Sequence, residues 1–116
     1  MSFDPTSHLP LSPASFQILV AIADGEKHGY AILKEVARRT DGKVRLRAGT
    51  LYTALARLVD DGLVEESLER PDPALDDERR RYYRLSPRGR SVVVAEAERL
   101  AEALRHVRAK LRVRPA

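Results

Sequence analysis

The sequence predicts a mainly α-helical domain with a small β-hairpin, and three observations carry that prediction. Apolar residues recur at helical spacing over four segments, punctuated by Ser-Pro starts and glycine stops. Between the third and fourth segments the period changes to two, in "LVEESLE" and "RRYYRLS". The composition is 43% hydrophobic with four tyrosines, two phenylalanines and no tryptophan, which suits a Leu, Val and Ala core better than a ring-walled cavity. At 116 residues the chain has the length of one domain.

The elements follow in order. Residues 1–11 read as an N-terminal tail. Ser12-Pro13 supplies a capping serine and a proline at the first helical position. Phe16, Leu19, Val20 and Ala23 then recur on one face with Ile22 beside them, and Gly25 ends the run. "EKHGY" turns into a second helix whose apolar positions are Leu33, Val36 and Ala37, closed at Gly42. In that turn His28 is read as a capping or packing residue and Tyr30 as core. "KVRL" alternates and predicts a short strand. The third helix buries Leu51, Leu55, Leu58 and Val59, with Tyr52 beside the stripe, and stops at Gly62. "LVEESLE" and "RRYYRLS" pair as a hairpin around "RPDPALDDER", and alternation puts Tyr83 with Leu85 on the core face. Ser86-Pro87 repeats the cap-and-proline start and opens the longest helix. There Val93, Ala97, Leu100, Leu104, Val107 and Leu111 fall at steps of 4, 3, 4, 3 and 4, a heptad seam that predicts a partner helix.

Charge locates the candidate site. The net charge is +4 and the sequence pI about 9.8. Residues 43–59 carry Lys43, Arg45, Arg47 and Arg57 without an acid, and residues 79–90 carry Arg79, Arg80, Arg81, Arg84, Arg88 and Arg90 likewise. The intervening stretch holds Asp60, Asp61, Glu65, Glu66, Glu69, Asp72, Asp76, Asp77 and Glu78 against Arg70 alone. Two distant acid-free blocks suit a surface for a polyanion, or else a merely solvated face.

Three helices and a hairpin make a winged helix-turn-helix, in which the third helix lies in the major groove with its first turns at base edges. Thr50 and Thr53 can hydrogen-bond bases or phosphates, and Arg57 can reach a phosphate or a guanine edge. The predicted layout is a DNA-binding unit over 12–86 and a dimerisation helix over 87–112. Asp76, Asp77 and Glu78 form the densest acidic cluster and read as solvated loop charge, so no metal site is expected. No cofactor is expected either. The chain has no cysteine and no Gly-rich phosphate loop, and His8, His28 and His106 stand apart, so an enzyme is not expected. A winged helix that binds only protein is the alternative.

"HGYAILKEVARRTDGKVRLRAGTLYTALARLVDDGLVEE", followed by "RRRYYRLSPRGR", resembles the PadR family of bacterial transcriptional regulators. The HGY turn, the GTLY…AL..L…GL block and the YYRL(S/T)..G block stand in family order, and the likeness runs from about Leu11 to Leu111. The resemblance implies a cytoplasmic homodimer, joined mainly through the C-terminal helix, that binds palindromic double-stranded operators and usually represses. It implies DNA contacts from the recognition helix at Arg47, Thr50, Tyr52, Thr53 and Arg57 and from the wing at Arg79, Arg80 and Arg81. Tyr52 is read either as a backbone contact or as a rim tyrosine. Thr53 stands where the family commonly has proline, so an operator sequence does not carry over. The acidic wing tip also differs from shorter glycine-containing tips, and Asp76-Asp77-Glu78 are expected to point away from phosphate. Some members of the family bind flat effectors against tryptophan at the dimer centre; this chain has none, and no residue specifies an effector.

Overall fold

The computed structural model describes residues 2–71 and 79–112, with the side chains of residues 68–71, 79 and 80 outside that description. A 3-10 helix at Pro5–His8 precedes α1 (Pro13–Ala21), β1 (Lys27–His28), α2 (Gly29–Arg39), α3 (Ala48–Asp60), β2 (Val64–Pro71), β3 (Arg79–Leu85) and α4 (Pro87–Leu111). The strands form one antiparallel sheet in the order β1-β3-β2. Three helices against a three-stranded sheet, followed by one long helix, is the winged helix-turn-helix fold with a C-terminal helix that the sequence predicts.

The caps act where the sequence puts them. Ser12 Oγ accepts the Ser15 N–H at 3.1 Å and Ser86 Oγ accepts the Gly89 N–H at 2.9 Å. His28 Nδ1 accepts the Ala31 N–H at 3.1 Å, which makes the histidine the cap of α2. The core joins Ile18, Leu19 and Ile22 of α1, Ile32 and Val36 of α2, Leu51, Leu55 and Leu58 of α3, and Leu63, Val64, Tyr83 and Val92. Leu85 packs against it half-buried, so the hairpin alternation holds.

Several expectations need correction. "KVRL" forms no strand, although Val44 and Leu46 turn inward by alternation. Its backbone is drawn into a local turn, since Lys43 N–H donates to the Thr40 carbonyl at 3.0 Å and Val44 N–H to Thr40 Oγ1 at 3.0 Å. The edge of the sheet is taken by β1, where Lys27 pairs with Tyr83 and His28 with Tyr82. In α1 the fully buried positions include Ile18, whereas Phe16 and Val20 are half-buried. The run "ILVAIA" is apolar all round, so periodicity there is a weak guide to the inner face. In α2 Ile32 occupies the core position beside Val36, and Leu33 sits at its margin. Tyr30 is 52% exposed rather than core, because His28 and Gly29 take the inner positions of the HGY turn and Tyr30 opens the outer face of α2. Its ring instead lies under Lys34 Nζ, 5.4 Å from the centroid.

The expected tail is also structured. Leu9 and Leu11 pack against the core, Arg88 of α4 lies over the Phe3 ring at 4.9 Å, and the Leu11 N–H donates to Glu96 Oε2 at 2.8 Å.

Candidate nucleic-acid interface

The recognition face begins with the division of α3. Leu51, Leu55 and Leu58, at steps of four and three, point inward and anchor the helix. Thr50, Thr53 and Arg57 are exposed on another face, together with Tyr52 and Ala56. Thr50, Thr53 and Arg57 line one open groove with Gly49, Ala54, Ser12 and Ser15, the two serines coming from the start of α1. Every polar group lining it is a hydroxyl, a guanidinium or backbone. Acids appear on α3 only at its far end, at Asp60 and beyond it at Asp61. Arg47 occupies the cap position without a side-chain cap bond and is exposed, as are Lys43 and Arg45. The first-turn N–H groups and these cations together make the start of α3 electropositive.

Tyr52 is 49% exposed, and its ring packs on Gly29. A Cβ at Gly29 would overlap the Tyr52 hydroxyl and lie 2.8 Å from Cζ. This contact ties the HGY turn to the GTLY block: the glycine is the seat of the tyrosine. The geometry gives Tyr52 its rim placement while leaving the other side of the ring to solvent.

Strands β2 and β3 form the wing stem, in which Glu65 faces Arg84, Glu66 faces Tyr83, and Arg70 and Pro71 face Arg80 and Arg79. Two of the arginines are paired across the stem. Arg84 Nε lies 3.3 Å from Glu65 Oε1, and Arg81 Nη1 lies 3.4 Å from Glu66 Oε1. The second basic block is therefore partly neutralised by the acidic block beside it, which the linear sequence does not reveal. Exposed pairs of this kind contribute only about 0.2–1 kcal/mol and exchange readily for another anion. Arg79 and Arg80 hold strand positions at the tip end, and their side chains fall outside the described residues. So do Asp76, Asp77 and Glu78, with the orientation expected of them.

Helix α4 divides in the same manner. Val92 and Glu96 turn into the domain, and Val93 is half-buried against its core. Beyond them the seam is open: Ala97, Leu100, Leu104, Val107 and Leu111 are all exposed, with Leu111 at 70%. Leu104 also lines a shallow apolar groove with Ala101, Arg105, Arg108 and Ala109.

Buried contacts explain why the motif blocks recur together. Ser86 N–H donates to the Leu63 carbonyl at 3.1 Å and Ser86 Oγ donates to the Gly62 carbonyl at 2.6 Å, joining the end of α3 to the start of α4. A Cβ at Gly89 would overlap that Leu63 carbonyl.

Residues 18–95 match the family model described as the transcriptional regulator PadR-like family. The chain belongs to the PadR family of transcriptional regulators. It is 37% identical over 90 residues to the transcriptional regulator Rv3488 of Mycobacterium tuberculosis, covering 78% of each chain. Among solved structures it is similar to a transcriptional regulator from Clostridium thermocellum, with a TM-score of 0.68 at 26% identity over 83% of this chain and 87% of that one. The fold is shared with Bacillus subtilis PadR, solved in complex with operator DNA, with a TM-score of 0.63 at 19% identity over 74% of this chain and 47% of that one. PadR proteins are regulators and not enzymes. Among the described residues no helix is long and apolar enough to cross a membrane.

Proposed function

We propose that this PadR protein is a cytoplasmic homodimeric repressor acting on a palindromic operator. Residues 12–86 of each subunit read DNA, and residues 87–112 carry the helix that joins the subunits. The observation that carries the reading is the acid-free groove at the start of α3, where Thr50, Thr53 and Arg57 stand exposed on a helix anchored from behind by leucines. Thr50 and Thr53 are short enough to approach base edges, Arg57 and Arg47 serve a base edge or phosphate, and Tyr52 serves the backbone. The wing arginines Arg79, Arg80 and Arg81 follow the phosphates of the adjoining groove. The open seam from Ala97 to Leu111 supports pairing with a second copy, since apolar side chains at heptad spacing gain by mutual burial. A two-fold dimer presents two recognition helices, and the operator then repeats the half-site in inverted order.

Selection of duplexes from a randomised pool tests this directly. The expected product is a palindrome with half-sites about one helical turn apart, and placing it across a promoter should lower transcription in vitro. Enrichment of no duplex would leave a winged helix that binds protein only. A non-repeated site would remove the two-fold arrangement.

A further inference from the structure

The groove at the recognition helix is not made by α3 alone, and the segment that completes it is held from the opposite side of the domain. Ser12 and Ser15 line it from α1. The residue before Ser12 is Leu11, whose N–H donates to Glu96 Oε2 at 2.8 Å, a contact across 85 positions of sequence. Glu96 is 2% exposed, and its other carboxylate oxygen takes the guanidinium of Arg99, one turn along α4. That guanidinium, and then the Leu11 amide, hold the Glu96 carboxyl below its usual range, against burial that pushes it up. A buried carboxylate costs several kcal/mol unless its oxygens are satisfied. Arg99 alone would satisfy a glutamate left on the helix surface, so burial of this one is accounted for by the strap it binds. The same strap is fastened at its far end by Phe3 against Arg88 and between them by Leu9 and Leu11 on the core.

Resting on the DNA-binding reading above, we propose that Glu96 is a positioning residue for DNA recognition: from the dimerisation helix it fixes Leu11, and so sets Ser12 and Ser15 at the edge of the groove where they contact DNA beside Thr50 and Thr53. The helix that joins the subunits and the surface that meets the operator are thereby linked through one hydrogen bond and one residue step. The sign of the expected effect is opposite to that of bulk charge. Removing an acid from a cationic DNA-binding protein strengthens binding by electrostatics alone, whereas loss of positioning weakens it.

The test uses the full chain and a duplex that the wild-type protein selects from a random pool. Glu96→Ala is expected to bind that duplex about tenfold more weakly, since one hydrogen bond to a charged group amounts to about that factor. Glu96→Gln, which keeps an oxygen for the Leu11 N–H, should stay within about threefold of wild type. Ser12→Asp retains a capping side chain but sets a negative charge at the groove edge, and should lose at least about tenfold. In the Glu96→Ala background the Ser12→Asp penalty should shrink by about threefold or more, because residues in one hydrogen-bonded chain are not additive. Binding by Glu96→Ala at or above wild-type affinity, or additive penalties, would overturn the proposal. Should Glu96→Ala fail to fold or to dimerise, Ser12→Asp in the wild-type background decides, and unchanged affinity there overturns it as well. A wild-type protein that selects no duplex fails at the DNA-binding reading instead, before Glu96 is in question.

Discussion

The double substitution Leu100→Asp/Leu104→Asp is expected to separate the subunits, and the size of the effect follows from exposure. Leu100 is 41% and Leu104 46% exposed in the single chain. Full burial of a leucine contributes about 1.5–3 kcal/mol, so covering these fractions contributes about 0.6–1.4 kcal/mol per side chain. Two-fold symmetry brings four such side chains to the seam, or about 4 kcal/mol in all. An aspartate in each place adds the cost of setting carboxylates against apolar neighbours and against one another. The dimer dissociation constant should therefore rise by at least about a thousandfold. Sedimentation at micromolar protein concentration reads this directly, with far-ultraviolet circular dichroism checking that each chain remains folded. Neither leucine is in the buried core of its own domain, so the fold should persist. Operator binding should weaken steeply, because a monomer engages one half-site. A double variant that still sediments as the wild type does would refute the seam assignment and direct attention to other surfaces of α1 and α4.

The remaining expectations concern the reading head and its frame. Thr53 is the sixth residue of α3, so alanine is a cleaner probe there than the proline common in the family, which would remove a backbone donor inside the helix. Thr53→Ala should lose about 1–3 kcal/mol on the selected operator while non-specific binding barely changes, if its hydroxyl reads a base; a uniform loss on all duplexes would make it a backbone contact. Replacing Arg79, Arg80 and Arg81 by alanine should weaken binding to every duplex alike and reduce the slope of log affinity against log salt by about 0.9 for each phosphate no longer neutralised. An unchanged slope would remove the wing from the interface. Gly89→Ala sets a methyl group on the Leu63 carbonyl and 2.9 Å from Leu85 Cδ1, and should cost at least about 2 kcal/mol, visible as a large fall in melting temperature; an unaltered melt would show that the α3–α4 junction yields without cost.

Local devices are legible in the residues alone. Ser12 and Ser86 cap helices because serine before proline leaves few other conformations, and the Leu51, Leu55 and Leu58 stripe is written in its spacing. The hairpin, the fourth helix and the exposed threonine face are legible for the same reason, since each rests on periodicity or on neighbours within a few residues. Packing settles whatever requires two distant segments to meet. "KVRL" has the alternation of a strand, but the sheet edge goes to Lys27–His28 because the paired stretch of β3 lies beside that turn and Thr40 takes the backbone of the other. Tyr30 looks like core by composition and lies outside, because His28 and Gly29 fill the inner positions of its turn. Arg81 and Arg84 read as unopposed positive charge until the register of β2 sets Glu66 and Glu65 beside them. Glu96 reads as one more surface glutamate, and only the packing of residues 3–11 on α4 makes it a buried anchor. Periodicity reports which side of an element is apolar; which polar group on the other side meets a partner depends on three-dimensional registry that no local pattern encodes.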